Sequence, residues 1–257
     1  MFSRLFRKAA PDLQPDTAGR LVYAIGDIHG RHDLLEPLLA DILHDADATG
    51  PAEPPILIFL GDYVDRGPAS RQVVETILAL CERPGLEVRT LKGNHEEALL
   101  QYLDDTAFGP TWMEHGGGTT LSSYGVSPPA TRTDPLAWAA TRDAFLGALP
   151  PEHLGFFQSL ELMVTVGDYA FVHAGVRPGA PLDRQAEKDL LWIRGEFLQA
   201  KGPFEKVIVH GHTPMQEPQI LKHRLGLDTG AYATGVLTAA RLDDIGPRLM
   251  QARARRG

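Results

Sequence analysis

Five short polar stretches hold most of the groups in this chain that could do chemistry, and each follows an apolar run. They are Gly26-Asp27-Ile28-His29-Gly30, Gly61-Asp62-Tyr63-Val64-Asp65-Arg66-Gly67, Gly93-Asn94-His95-Glu96, His173-Ala174-Gly175 and His210-Gly211-His212-Thr213. Carboxylate, amide and imidazole donors without thiolate suit first-row divalent cations. Asp27 and His29 share one loop and can reach one ion, although such a pair also arises as a cap and a surface residue. Asp62 beside Asp65 and Arg66 is a stronger signal. A salt-bridged turn has the same composition, but the flanking glycines let the backbone approach a ligand closely. Asn94 is a poor ligand unless a charged group shares its site, and His173 and His212 taken singly read as hydrogen-bonded histidines at strand ends. Taken together, Asp27, His29, Asp62, Asn94, His173 and His212 supply donors for two ions with one carboxylate, Asp62, shared. Two metal ions about 3.5–4 Å apart are a standard device for hydrolysing phosphate esters.

The apolar runs predict the elements that hold these groups. Residues 21–25 are long enough for one buried strand, ended by Gly26. Leu34, Leu35, Leu38, Leu39 and Ile42 recur at helical spacing, with Asp33 near the N-terminus, where the helix dipole favours an anion. Residues 45–55 read as a polar, proline-rich connection. Residues 56–60 predict a second strand, and Pro68 opens a helix carrying Val73, Val74, Ile77, Leu78 and Cys81. Residues 88–91 predict a third strand, before a helix through Leu99, Leu100 and Leu103. This succession predicts an α/β fold with a largely parallel first sheet. Its loops leave the carboxyl ends of strands, where such sheets bind ligands. Residues 104–135 read as a long irregular stretch, usually a sign of function. Residues 136–149 read as helix, and Gly167-Asp168 as a hairpin turn between 160–166 and 170–172. Residues 183–198 read as helix broken near Gly195, 207–209 as a strand ending at His210, and 220–242 as short strands joined by tight turns. Hairpins so late in the chain predict a second sheet packed on the first.

At 257 residues, the chain fits one large domain or two small ones. A hydrophobic content of 43% with 23% charged residues is that of a soluble globular protein. No apolar run approaches the roughly 18 residues that span a bilayer. Residues 1–10 are basic and aromatic without the apolar core of a secretory signal. Phe2, Leu5 and Phe6 with Arg4, Arg7 and Lys8 could form a membrane-surface patch, but a frayed terminus is the simpler reading. The single cysteine, Cys81, excludes an intramolecular disulfide, reads as a packed core thiol and fits a cytoplasmic protein. A net charge of -8 argues against an electrostatic nucleic-acid binder. It still allows a phosphate-ester substrate, because bound dications reverse the local sign.

The five stretches together resemble the motifs of the binuclear metallophosphoesterases, the calcineurin-like superfamily. Asp62-Tyr63-Val64-Asp65-Arg66-Gly67 with Gly93-Asn94-His95-Glu96 is similar to the phosphoprotein phosphatase branch in its bacterial and phage form. The resemblance covers residues 21 to 242. It implies an α/β fold of two mixed β-sheets packed as a central sandwich flanked by helices. The expected catalytic domain covers 21–245, between a flexible extension at 1–20 and a basic tail at 246–257. It implies two divalent ions, Mn²⁺ first, with Fe or Zn as alternatives. One would take Asp27, His29 and Asp62, the other Asp62, Asn94, His173 and His212. Thr213-Pro214 after His212 places His210 just outside the ligands, orienting one of them. A hydroxide generated between the metals would attack phosphorus in line. Arg66, Arg194 and Asn94 would bind the phosphoryl oxygens. His95 would protonate the leaving alkoxide, oriented by Asp65.

Three functions follow, in order. The first is a serine/threonine protein phosphatase acting on phosphorylated proteins or peptides. The second is a hydrolase of diadenosine tetraphosphate or other small phosphate esters on the same scaffold. The third, an inactive phospho-ligand-binding module, is weak because no ligand residue is missing. Asp65 ranks the first above the second, since an anhydride leaves easily and needs less help from an acid. The remaining polar residues take plainer roles. Glu96 supports its turn, and Asp228-Thr229-Gly230 is structural. His32, His44, His153 and His223 are surface or capping residues, and His115 with residues 116–118 lines the pocket. Trp112, Tyr124 and Trp192 cover the site or pack beside it.

Overall fold

The computed structural model describes residues 15–254. The expected surface patch at Phe2, Leu5 and Phe6 lies outside the described residues, as do the rest of 1–14 and the last three residues of the basic tail. The first half of the chain alternates strands and helices: β1 (Val22–Ile25), α1 (His32–Thr49), β2 (Ile56–Phe59), α2 (Ser70–Cys81), β3 (Glu87–Thr90) and α3 (Asn94–Asp104). The middle is helical, with α4 (Gly109–Glu114), α5 (Gly117–Ser123), α6 (Pro135–Ala148) and α7 (Pro151–Ser159). Then come β4 (Met163–Val166), β5 (Tyr169–Val172), α8 (Glu187–Trp192), α9 (Gly195–Leu198), β6 (Val207–His210), β7 (Gln219–Leu221), β8 (Arg224–Gly226), α10 (Ala231–Thr234), β9 (Val236–Leu242) and β10 (Arg248–Arg253). No helix among the described residues is long and apolar enough to cross a membrane.

The strands form two five-stranded mixed sheets, in the orders β10-β9-β1-β2-β3 and β4-β5-β6-β8-β7. β1, β2 and β3 are parallel, and β9 runs antiparallel between β1 and β10. In the second sheet β5, β6 and β8 are parallel, with β4 and β7 antiparallel at the edges. Side chains alternate between faces with the period of two of a strand. Val22, Ala24, Ile56 and Ile58 therefore meet Phe171, Val209 and Leu225 between the sheets. Tyr23, Ile25, Leu57 and Phe59 point the other way, into a layer with α1, α2 and α3. Ala170, Val172 and Ile208 cover the far face of the second sheet with Leu190, Ile193 and Phe197. Fully burying one such side chain contributes about 1.5–3 kcal/mol, so this alternation holds the sandwich in register.

Several local expectations are corrected. α1 runs on to Thr49, so the connection to β2 is shorter than the polar composition suggested. Pro68 stands outside α2, which begins at Ser70. The buried stripe of α2 is Val73, Val74, Ile77 and Leu80, and this rotation leaves Cys81 exposed rather than packed in the core. The stretch 104–135 is not irregular: it contains α4 and α5, built around buried Trp112 and Leu121. His153 is a buried residue, not a surface one, and its Nδ1 pairs with the Tyr124 hydroxyl at 2.8 Å. The basic segment from residue 246 is not a free tail. Its residues 248–253 form β10, because Met250 and Ala252 pack on the first core while the arginines at its two ends face solvent. At the other end of the expected domain, Thr17 is already buried, and Asp168 N–H donates to Asp16 C=O at 2.9 Å.

Candidate active site

The five polar stretches converge at the carboxyl ends of β1, β2, β3, β5 and β6. The loop after β2 is the hub. Asp62 C=O accepts from the N–H groups of Ile28 and His29 at 3.1 and 2.8 Å, which joins it to the first loop. Glu96, near the start of α3, accepts from four backbone N–H groups, those of Asp62 (2.9 Å), Tyr63 (2.8 Å), Val64 (3.3 Å) and Gly93 (3.0 Å). The sequence assigned Glu96 a supporting role, and this is the contact that performs it. Among the described residues, every non-glycine with positive φ except Ala18 lies at this site: His29, Asp62, Asp65, Arg66 and His212. Such backbone costs of order 1–3 kcal/mol per residue and persists only where its surroundings over-determine it. Gly93 is required by close approach, since a Cβ there would overlap the Asp62 carboxylate.

Asp62 is 1% exposed and faces histidine nitrogens with both oxygens. Oδ2 lies 3.4 Å from His29 Nε2 and 3.9 Å from His95 Nε2, and Oδ1 lies 3.5 Å from His173 Nε2. Two groups of three donors result, His29 with Asp62 and His95, and Asp62 with His173 and His212, each with its ligand atoms within 4.8 Å of one another. Asn94 belongs to the second group, its Oδ1 standing 2.9 Å from His173 Nε2 and 2.8 Å from His212 Nδ1. Asp27 joins neither group. Its two oxygens accept from the His212 N–H at 3.1 and 3.0 Å, tying the first loop to the last. Burial and the negative charges of Asp228 and Asp62 push its carboxyl well above the usual range.

The histidines are oriented from behind. His29 Nδ1–H donates to Val64 C=O at 2.9 Å and His173 Nδ1–H to Leu60 C=O at 2.8 Å, leaving each Nε2 with its lone pair toward Asp62. Burial holds His29 near a pKa of about 3 and His212 near about 2, and it lowers His173 as well. For Asp62 the opposing burial is overcome by His173, His95, His29 and His212, which hold it well below the carboxylate range. Neutral imidazoles and an ionised carboxylate are the forms that bind a cation. Two further observations fit one. His212 Nε2 is buried without a hydrogen-bond partner. His173 Nε2 faces Asn94 Oδ1, an acceptor against an acceptor, which a cation between them reconciles.

His95 differs from the other three. Asp65 Oδ2 accepts its Nδ1–H at 2.7 Å, and its pKa is raised, because Asp62 and Asp65 outweigh burial. The Asp65 carboxylate is itself fixed by Trp112 Nε1–H at 3.0 Å on Oδ2 and by the Thr120 hydroxyl at 2.6 Å on Oδ1. Arg66 Nη2 lies 3.0 Å from His95 Nε2. Arg194 is exposed on the other flank, 3.4 Å from Thr213 Oγ1, close enough for its charge to lower His173 and His212 further.

His210 does not orient a ligand. It is buried beside Phe197, with Nδ1–H donating to Gly211 C=O at 3.1 Å and Nε2 turned to Arg224. His115 lines the cleft between His95 and Trp192, and Trp192 packs edge-on against His212. Sequence reasoning missed Thr120 and Tyr232, and it gave Trp112 no partner. Asp228 is also more than a turn residue: it is buried beside Asp27 and pushed up to about 6, chiefly by burial. The one available signal was Asp228-Thr229-Gly230, which opens the turn carrying Asp228 and Tyr232.

A family model described as calcineurin-like phosphoesterase matches residues 21–235. The asymmetrical bis(5'-nucleosyl)-tetraphosphatase PrpE of Geobacillus sp. (strain WCH70) is 30% identical over 86% of this chain and 90% of its own length. Its namesake from Bacillus velezensis is 27% identical over 86% and 88%. A solved structure proposed to be a diadenosine tetraphosphatase superposes with a TM-score of 0.64 at 21% identity, covering 95% of this chain and 98% of that one. A serine/threonine phosphatase from Saccharomyces cerevisiae gives a TM-score of 0.54 at 17% identity, covering 96% and 86%. The two structures support the fold.

Proposed function

The chain belongs to the calcineurin-like phosphoesterases, and on that premise we propose that it is a metal-dependent phosphohydrolase acting on bis(5'-nucleosyl) tetraphosphates. Water adds across one phosphoanhydride, releasing a nucleoside monophosphate and a nucleoside triphosphate. The observation that carries hydrolysis is the Asp62 carboxylate, whose two oxygens face different histidines. The substrate class rests on relatives that match most of this chain and of their own length. It reverses the order of substrates that Asp65 alone suggested.

In this reading Asp62 would be shared by two divalent ions, Mn²⁺ first among the candidates, with Fe or Zn as alternatives. One ion would be held by His29, with Asp27 as a further candidate ligand, the other by Asn94, His173 and His212. Such ions supply Lewis acidity and a water of lowered pKa. Arg66 and Arg194 flank the centre and, with Asn94, bind phosphoryl oxygens. Arg66 donates to His95 Nε2 in the structure. A phosphoryl oxygen is a stronger, charged acceptor, so substrate draws that donor away and leaves Nε2 to carry a proton. His95, held above its ordinary range while the other three imidazoles sit below theirs, is the acid that protonates the leaving oxygen.

A second reading, hydrolysis of phosphoserine or phosphothreonine, is favoured by the 2.7 Å Asp65–His95 pair, since an alkoxide leaves only when protonated. The deciding experiment is a panel of bis(5'-adenosyl) tetraphosphate, a phosphoserine peptide and an aryl phosphate with Mn²⁺. The tetraphosphate should have the highest kcat/KM and yield AMP and ATP. A higher value for the peptide would establish the second reading, and two molecules of ADP would exclude unequal cleavage.

A further inference from the structure

We propose that Tyr232 is a positioning residue for Arg66, holding the guanidinium at the mouth of the site so that an arriving phosphoryl group meets a preformed donor fork. The inference rests on the reading of Arg66 as a phosphate ligand. Arg66 Cζ stands 4.5 Å from the Tyr232 ring centroid, within reach of a cation–π contact. The same ring meets His29 edge-on, with centroids 5.3 Å apart at 86°. Tyr232 thus bridges the arginine and one of the candidate metal ligands. Arg66 itself sits on left-handed backbone at φ 68°, with its N–H 3.3 Å from Gly116 C=O. Its backbone is fixed, and beside the Nη2 contact with His95 Nε2 at 3.0 Å the Tyr232 ring gives its long side chain a second support.

The placement of Tyr232 is itself constructed. α10 is one turn of helix between Gly230 (φ 65°) and Gly235 (φ 70°), whose left-handed backbone fits that residue type. Gly230 N–H donates to Asp228 Oδ1 at 2.8 Å, and the Thr234 hydroxyl donates to Thr229 C=O at 2.8 Å. Ala231 C=O accepts from Arg31 Nη1 at 2.7 Å, and Asp33 grips the same guanidinium through Nε and Nη2 at 2.8 and 2.7 Å. The turn is therefore tied to the start of α1, although Tyr232 is 39% exposed. No described residue hydrogen-bonds its hydroxyl, so the ring is the working part.

The test is a double-mutant cycle in the full Mn²⁺-loaded chain. Inorganic phosphate affinity is read by calorimetry, and KM and kcat are read with bis(5'-adenosyl) tetraphosphate. Tyr232→Leu should weaken phosphate by about 3- to 30-fold and raise KM more than it lowers kcat, whereas Tyr232→Phe should stay within about twofold of wild type. In an Arg66→Ala background Tyr232→Leu should have no further effect on phosphate. Tyr232→Gln repeats the comparison if the leucine variant does not fold. An equal loss with and without Arg66, or a phenylalanine variant as weak as the leucine one, would overturn the proposal. If wild type binds phosphate but does not cleave the tetraphosphate, the substrate reading fails while the cycle still decides Tyr232. If Arg66→Ala leaves phosphate affinity unchanged, the phosphate role of Arg66 fails and this inference with it.

Discussion

Replacing Asp65 by asparagine isolates the charge behind His95 with little disturbance to the fold. Asp65 is fully buried and accepts from His95 Nδ1 and Trp112 Nε1 on Oδ2 and from the Thr120 hydroxyl on Oδ1. The amide oxygen of asparagine can keep the two contacts on the Oδ2 side. Its NH₂ then donates to Thr120 Oγ1, and the Thr120 hydroxyl turns to Ser70 Oγ, 3.2 Å away. Every polar neighbour keeps a partner, so the stability loss should stay below about 2 kcal/mol. The lost quantity is charge assistance to the His95 imidazolium. A hydrogen bond to a charged group contributes roughly 1.5–3 kcal/mol and a neutral one about 0.5–1.5, a difference of about 1–1.5 kcal/mol, or about one pKa unit. Because His95 acts as an acid, the falling limb of its pH–rate profile should move about one unit lower. At any pH on that falling limb, well above the wild-type His95 pKa, kcat/KM for an alkyl phosphomonoester should then drop about tenfold. The tetraphosphate, whose leaving group is already a weak base, should lose less than about threefold. The assay is kcat/KM for both substrates from pH 5 to 9, alongside urea unfolding. Equal losses on both substrates, or an unmoved falling limb, would refute the coupling of Asp65 to the leaving group through His95.

Removing Glu96 should act mainly on the loop that carries Asp62. Glu96→Ala leaves four buried backbone N–H groups without their acceptor, and at about 1–3 kcal/mol for each group left unpaired the loss in urea unfolding should exceed about 3 kcal/mol; a smaller loss would mean that water replaces the carboxylate. Asp62→Asn should abolish activity and remove at least one equivalent of metal by elemental analysis, and full retention would end its role as the shared ligand. His210 offers a pH test with metal chelated. Burial lowers its folded pKa to about 3, below the value of about 6.5 in an unfolded chain, so the unfolded chain takes up the proton first. Its contribution is present above pH 6.5 and is lost as pH falls toward 3, at up to about 1.4 kcal/mol per pH unit. His210→Gln should therefore show a shallower fall in stability between about pH 6 and pH 4, and an unchanged slope would place the acid sensitivity elsewhere.

The sequence by itself was enough for the family, the first three strand–loop–helix units and the convergence of the donor loops, because each depends on local pattern. A five-residue apolar run ended by glycine and an Asp-x-His spell out a buried strand and its loop without distant partners. The same locality explains the errors. Cys81 sits one position beyond Leu80, and only the packing of α2 decides which of them faces the core. The basic composition of β10 hid two residues that pair across β9 and reach the first core. His210 and His212 are two residues apart and chemically alike. Which of them meets Asn94 and which lies beneath Phe197 depends on the path of the chain beyond β6. The largest gap is at Asp65 and Arg66. Their types announced an acid's partner and a phosphate clamp, but what holds them comes from far along the chain, Trp112 and Thr120 from a stretch that read as irregular and Tyr232 from a turn beyond β8. Sequence determines which groups are present and on which local frame. Only the fold sets the distances between distant groups, and charge, burial and hydrogen bonding act through those distances.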